Sequence, residues 1–249
     1  MQERDNSGIS YGRNAVHELL KGERPVDVIY IEADNHAKQL DYFIALAKEK
    51  NAVVKRVPVE KLESLCLSRN HQGVVAVSSV IEYTEIGDML AVAAEKNEKP
   101  FIVMLDGIED PYNLGAIIRT AEVAGVHGIV IPKRRSMQVN STVVHVSEGA
   151  VNYLPIARVS NLASTVRELK KTGMFCYTAD MTGRSIYTLT LDTPILLIIG
   201  SEGNGVSPLL KSLSDFTVSL PMKGRIGSLN ASVAAGVLIY EVFRQRLQF

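Results

Sequence analysis

The sequence predicts an α/β protein of two units, the second built on a parallel sheet covered by helices on both faces. Three observations carry this reading. Short runs of β-branched residues alternate with helical segments along the chain. In the second half those runs are apolar at nearly every position, as strands buried on both faces require. Between the halves, residues 81–99 turn polar and charged (Glu85, Asp88, Glu95, Lys96, Glu98, Lys99), which marks a boundary.

In the first unit, Asn14–Lys21 reads as a leading helix ending at Gly22. Val28-Ile29-Tyr30-Ile31, Val53–Val57 and Val74–Val77 read as buried strands. Ala37–Lys50 places Leu40, Phe43, Ile44 and Ala47 on one helical face, and a shorter helix spans Glu60–Leu67. The segment 81–99 reads best as a linker, with a possible helix over Met89–Ala94. In the second unit the expected strands are Phe101–Leu105, Gly128–Ile131, Met174–Ala179, Ile195–Ile199 and Phe216–Leu220. The expected helices are Leu114–Ala124, Leu162–Lys171 and Ser232–Arg246. The domains are therefore 1–80 and 100–249, joined by 81–99.

Composition narrows the function. Of 249 residues, 46% are hydrophobic and 22% charged, which is globular rather than disordered. Lys and Arg (27) balance Asp and Glu (27), so a nucleic-acid site has to be a local patch rather than a global basic field. Cys66 and Cys176 lie far apart in apolar runs, which disfavours a disulfide framework or a zinc site. The five histidines form no ligand cluster, so no metal is expected. No apolar run approaches the ~20 residues of a membrane span. Met1-Gln2-Glu3-Arg4-Asp5 lacks the apolar core of a signal peptide, so a cytoplasmic location is expected.

Ligands of parallel sheets bind in the loops that follow the strands. Three such loops are rich in glycine and uncharged polar residues. The first, Asp106–Gly115, leads into a helix carrying Arg119, with Asn113 placed as its N-cap and Gly125 ending it. Arg119 stands among Ile117, Ile118, Ala121 and Val123, where a cation needs a partner that an anionic ligand would supply. The second, Gly200-Ser201-Glu202-Gly203-Asn204-Gly205, matches neither the dinucleotide nor the P-loop spacing. Its glycines suit a close backbone approach to an uncharged part of a ligand. The third runs from Leu220 to Gly236 and gathers Ser228, Asn230 and Ser232 before a small-residue helix, with Asn230 or Ser228 as N-cap. No G-x-S-x-G elbow is present, which argues against an α/β-hydrolase.

In this order and spacing, Asn113…Arg119, Gly200-Ser201-Glu202-Gly203 and Pro221-Met222…Ser228-Leu229-Asn230 resemble the signature motifs of the SpoU/TrmH family of RNA 2′-O-ribose methyltransferases, in the SPOUT superfamily. The resemblance covers residues 101–249. Tyr11-Gly12-Arg13-Asn14-Ala15-Val16 and His71-Gln72-Gly73-Val74-Val75-Ala76 resemble the substrate domain of the subgroup that methylates a guanosine in 23S ribosomal RNA. Ser147-Glu148-Gly149-Ala150 departs from that subgroup, with Glu148 where a small residue is common.

The resemblance implies a deep trefoil knot in the C-terminal sheet, S-adenosylmethionine as cofactor and a homodimer. It implies cofactor contacts from Gly200, Leu220, Met222, Ser228 and Leu229. It implies a catalytic set of Arg119, Asn113, Glu202, Ser228 and Asn230. Because arginine does not deprotonate near neutrality, Arg119 is read as a clamp on phosphate and on the developing oxyanion rather than as a base. Asn113 and Asn230 would orient ribose or cofactor, and Glu202 would position Arg119 or a hydroxyl. Competing readings are methylation of tRNA or of a ribosomal adenosine, and a catalytically silent RNA-binding protein. Candidate phosphate contacts are Arg13, Lys21 and Arg24 in the first unit and Lys133, Arg134 and Arg135 in the second. The stretch Ala234-Ala235-Gly236 is the expected dimer surface.

Overall fold

The structure is a computed structural model that describes residues 8–22, 25–33, 38–78, 80–225 and 227–247. Residues 1–7, Arg24 and Ala37, which entered the sequence reading, lie outside the described residues. The chain divides into two compact units between Glu82 and Tyr83.

The first unit runs β1 (Ile9–Tyr11), α1 (Arg13–Lys21), β2 (Val26–Glu32), α2 (Lys38–Glu49), β3 (Val53–Val57), α3 (Val59–Cys66) and β4 (Val74–Ser78). Its sheet has the order β1-β4-β2-β3. β2 and β3 are parallel, while β4 runs antiparallel to β1 and β2. Strand alternation splits β2 between two cores. Ile29 and Ile31 meet Val16 and Leu20 of α1 and Leu40, Phe43 and Ala47 of α2. Tyr30 packs instead with Leu62 and Cys66 of α3. β1, three residues with no apolar run of its own, was not anticipated from the sequence.

The second unit runs α4 (Ile86–Glu95), β5 (Phe101–Asp106), α5 (Pro111–Val123), β6 (Gly128–Pro132), α6 (Ser141–Val146), β7 (Ile156–Val159), α7 (Leu162–Lys171), β8 (Phe175–Ser185), β9 (Ile195–Gly200), α8 (Pro208–Leu213), β10 (Phe216–Ser219) and α9 (Ala231–Arg246). All six strands are parallel, in the order β10-β8-β9-β5-β6-β7. Ile102 and Met104 of β5 and Leu196 and Ile198 of β9 share one face with Met89 of α4, Val166 of α7 and Leu210 of α8. α5 and α9 pack together and α9 reaches β9, while the alternate strand residues Val103, Leu105, Leu197 and Ile199 are equally buried.

The segment expected to be a linker is α4 over most of its length. Glu85 and Asp88 cap it reciprocally, the Glu85 N–H donating to Asp88 Oδ2 at 2.9 Å. Met89 and Ala93 are fully buried in the second unit. A Cβ on Gly128 would lie 2.3 Å from Met89 Sδ, so this glycine seats α4 against β6. The polar residues that suggested a linker occupy the outer face of an amphipathic helix.

β8 is longer than expected. β10 pairs Phe216 and Thr217 with Tyr177 and Thr178, then Val218 and Ser219 with Arg184 and Ser185. Residues 179–183 therefore form an excursion between two consecutive ladder pairs. Gly183 closes it: a Cβ there would lie 2.5 Å from the Thr217 carbonyl carbon. Among the described residues no helix is long and apolar enough to cross a membrane, and no three His, Cys, Asp or Glu residues gather to hold a metal.

Candidate active site

In register, Asp106 at the end of β5 stands opposite Gly200 at the end of β9, so the loops that follow leave the sheet side by side. α5 starts earlier than the sequence suggested. Asp110 is its N-cap, accepting from the Tyr112 N–H at 2.7 Å, and Pro111 opens the first turn. Asn113, expected as the cap, lies inside the helix and is 9% exposed. That frees its carboxamide, whose Nδ2 donates to Glu202 Oε1 at 3.1 Å.

Asn230 caps α9, as one of the two expectations had it, with Oδ1 accepting from the N–H groups of Ser232 at 3.0 Å and Val233 at 3.2 Å. Its Nδ2 donates to Asn113 Oδ1 at 2.9 Å and also to Glu202 Oε1. The Ala231 N–H donates to the same carboxylate at 3.2 Å. One residue from each of the three motifs thus meets in a single network. Glu202 sits at the N-terminal end of α9, where its carboxylate takes up a backbone donor of the first turn.

Beside this network lies a cavity of about 280 Å³. Gly200, Leu220, Met222, Ser228 and Leu229, the five expected cofactor contacts, all line it, with Ala234 and Leu238 of α9 behind them. A Cβ on Gly200 would lie 2.0 Å from the Gly205 carbonyl carbon, so the turn after β9 folds back directly on the strand.

Two further residues line the cavity that sequence reasoning missed, Asp180 and Lys211. Asp180 accepts from Thr182 N–H at 2.9 Å and Oγ1 at 2.7 Å and pairs closely with Lys211 Nζ. These bonds, that to Lys211 foremost, bring its carboxyl pKa down to about 2, so it is ionised whenever the cavity is in use. The available signal was its place just after the strand Met174–Ala179, but the excursion that presents it depends on pairing with β10.

Arg119 lies apart from the network. Its side chain is 58% exposed, and Nη1 stands 3.9 Å from Glu148 Oε1. The expectation of an arginine embedded among apolar neighbours is corrected: Ile117, Ile118 and Ala121 turn inward, while Arg119 shares its face with exposed Tyr112 and Val123. Glu202, expected to position Arg119 or a hydroxyl, holds the two asparagines and the start of α9. The dimer-surface expectation also changes. Ala235 is buried within the chain, and a Cβ on Gly236 would lie 3.7 Å from Thr120 of α5. The exposed large hydrophobic residues of α9 are Val233, Val237 and Tyr240.

A carboxylate-centred network on the wall of a glycine-bordered cavity, at the carboxyl edge of a parallel sheet, defines an α/β enzyme with a small-molecule site in its loops. Residues 100–240 match the SpoU rRNA Methylase family, and residues 9–84 match the RNA 2′-O ribose methyltransferase substrate binding family. YacO of Bacillus subtilis (strain 168), grouped with the TrmH family tRNA/rRNA methyltransferases, is 44% identical over 236 residues, covering 94% of each chain. A TrmH family chain of Staphylococcus aureus (strain MSSA476) is 40% identical, covering 94% of this chain and 95% of the relative. Among solved structures, the SpoU methyltransferase AviRb of Streptomyces viridochromogenes in complex with AdoMet shares the fold at TM-score 0.61 and 24% identity, covering 96% of this chain and 90% of that one. The A. aeolicus TrmH/SpoU tRNA modifying enzyme has TM-score 0.56 and 28% identity, covering 60% and 76%. The chain belongs to the SpoU family and is an RNA methyltransferase.

Proposed function

We propose that the protein methylates the ribose 2′-hydroxyl of a guanosine in 23S ribosomal RNA, using S-adenosylmethionine. The observation that carries the reading is the meeting of Asn113, Glu202 and Asn230 beside the cavity that Gly200, Leu220, Met222, Ser228 and Leu229 line. That cavity fits the cofactor's chemistry: leucine and alanine side chains suit a flat heterocycle, and the glycine-rich turn offers backbone groups to its edge. When bound, the cofactor would supply an electrophilic sulfonium methyl group and leave as its neutral thioether, while the ribose hydroxyl gives up its proton to solvent.

The chain's own residues divide the remaining work. Asn113 and Asn230 hold their carboxamides in fixed orientation through Glu202, ready to align ribose or cofactor. Ser228 adds a hydroxyl on the cavity wall. Arg119, exposed and weakly paired, is free to leave Glu148 for an RNA phosphate, where its fork stabilises charge growing on the attacking oxygen. Arg13, Lys21, Lys133 and Arg134 are the proposed contacts to further phosphates.

The reading extends to a homodimer and to the knotted threading of the C-terminal sheet, an exception to the rule that connections do not knot. A shallow groove between Ala116 and Thr120 of α5 and Val233, Val237 and Tyr240 of α9 supports a symmetric partner packed across these helices. The test is calorimetry with S-adenosylmethionine and its demethylated product. It is joined to mass spectrometry of nucleosides from ribosomal RNA and tRNA incubated with the full chain. Cofactor binding and 2′-O-methylguanosine in 23S RNA are expected. Methylation confined to tRNA or to adenosine overturns the substrate assignment, and absence of cofactor binding at millimolar concentration overturns the cofactor.

A further inference from the structure

Next to the cofactor cavity lies a second chamber of about 580 Å³, between the loops that follow β5 and β9. β5 leads outward to β6 and β7, whereas β9 lies on its other side, so the chamber occupies the switch point of the sheet, where ligands of such folds bind. The turn Ser201–Gly205 and Ala231 border both spaces, and Asn113 and Glu202 face the chamber.

Its walls are fixed by bonds that use up most of their polar groups. Asp106 Oδ2 accepts from the Ser207 N–H at 2.8 Å, and Asp110 is engaged by Tyr112. The Ile108 carbonyl accepts from the Met137 N–H at 2.7 Å and from Ser136 Oγ at 3.0 Å, which clasps the β5 loop to the segment after β6. Two charged side chains remain uncommitted: Glu109, and Arg135, which is held in the left-handed region at φ 57. Neither makes a hydrogen bond or ion pair with a described residue, and both line the chamber.

We infer that this chamber receives the base of the nucleotide being methylated, and that Glu109 and Arg135 select guanine. The inference rests on the methyltransferase reading and deepens it. A carboxylate only accepts and a guanidinium only donates. Guanine alone offers two adjacent donors, N1–H and the N2 amino group, on one edge and two adjacent acceptors, O6 and N7, on another. A carboxylate from one loop and an arginine from the next therefore each meet a matching pair. Adenine places donor and acceptor side by side on both edges, which suits amides, and cytosine offers only its N4 amino group to the carboxylate. With the base here, its ribose falls toward the wall shared with the cofactor cavity.

The test titrates the full-length protein with guanosine, adenosine and cytidine 5′-monophosphates by ligand-observed NMR, with and without S-adenosylhomocysteine. Guanosine monophosphate is expected to bind about tenfold more tightly than the other two. Glu109→Gln and Arg135→Ala each remove that preference, while melting temperature and S-adenosylhomocysteine affinity stay at the wild-type value. Equal binding of the three nucleotides, binding of none at millimolar concentration, or a guanine preference that survives both substitutions overturns the assignment. Failure of S-adenosylhomocysteine to bind strikes the cofactor reading instead, and the titration without it still decides the chamber.

Discussion

The guanidinium of Arg119 lies 3.9 Å from the carboxylate of Glu148, with both side chains more than half exposed. A pair so wet and so long contributes little to stability. Glu148 is itself held with φ 51 in the turn after α6, and α6 approaches α5 because Gly115 leaves room for Val146. Arg119→Ala is therefore expected to leave melting temperature and cofactor affinity unchanged, while lowering single-turnover methyl transfer by at least ~100-fold. Arg119→Lys should be nearly as damaging, since an ammonium lacks the bidentate fork. A rate near wild type in either variant removes Arg119 from the chemistry.

Asn230→Asp keeps a competent N-cap but turns a donor into a second anion facing Glu202 and the Asn113 carbonyl. The new carboxyl is expected to have a folded-state pKa raised above its unfolded value. Destabilisation then sets in above the unfolded pKa and grows as pH rises through the folded one, to about 2 kcal/mol. Thermal melts from pH 4 to pH 8 check the sign, with the deficit against wild type smallest at pH 4.

Asp180 behaves in the opposite sense. Its folded pKa of about 2 lies below the ordinary carboxylate value, chiefly through Lys211 and Thr182. Its contribution to stability is thus complete above about pH 4 and is lost as pH falls through 2. Asp180→Asn should cost on the order of 1 kcal/mol at pH 7, and that difference should shrink steadily as the melts are taken from pH 4 toward pH 2.

Gly200→Ala tests the fold of the turn after β9. The added methyl would lie 2.0 Å from the Gly205 carbonyl carbon and 2.2 Å from the Val206 nitrogen, backbone atoms that cannot swing aside. A loss of about 2 kcal/mol or more and of cofactor binding is expected. Gly203→Ala in the same turn, with nothing within 4 Å, should be silent in both calorimetry and melts.

Much of this architecture was legible because its signals are local. β3 and α7 coincide with their sequence-derived bounds, and β5 and β9 extend theirs by one residue, since an apolar run or an amphipathic period needs no partner to be recognised. β7 was missed because Ile156-Ala157-Arg158-Val159 is short and interrupted by an arginine that stacks over Tyr83 at 4.5 Å. α6 and α8, six residues each, are too short to show a period. The motif residues were visible, but not who holds whom. Glu202 joins Asn113 and Asn230 across 89 and 28 positions of sequence. Arg119 faces solvent because Ile117, Ile118 and Ala121 take the inward face of α5, a partition that packing sets and adjacency in sequence does not show.

One turn, Ser201–Gly205, serves as the party wall of two rooms. If both are occupied in turnover, whatever tightens the wall around one guest alters the affinity for the other, and by thermodynamic necessity the influence is mutual and equal. A demethylated cofactor that relaxes the turn would then loosen the modified nucleotide by the same factor that the nucleotide loosens it. Release of the two products would become a single linked event rather than two independent departures.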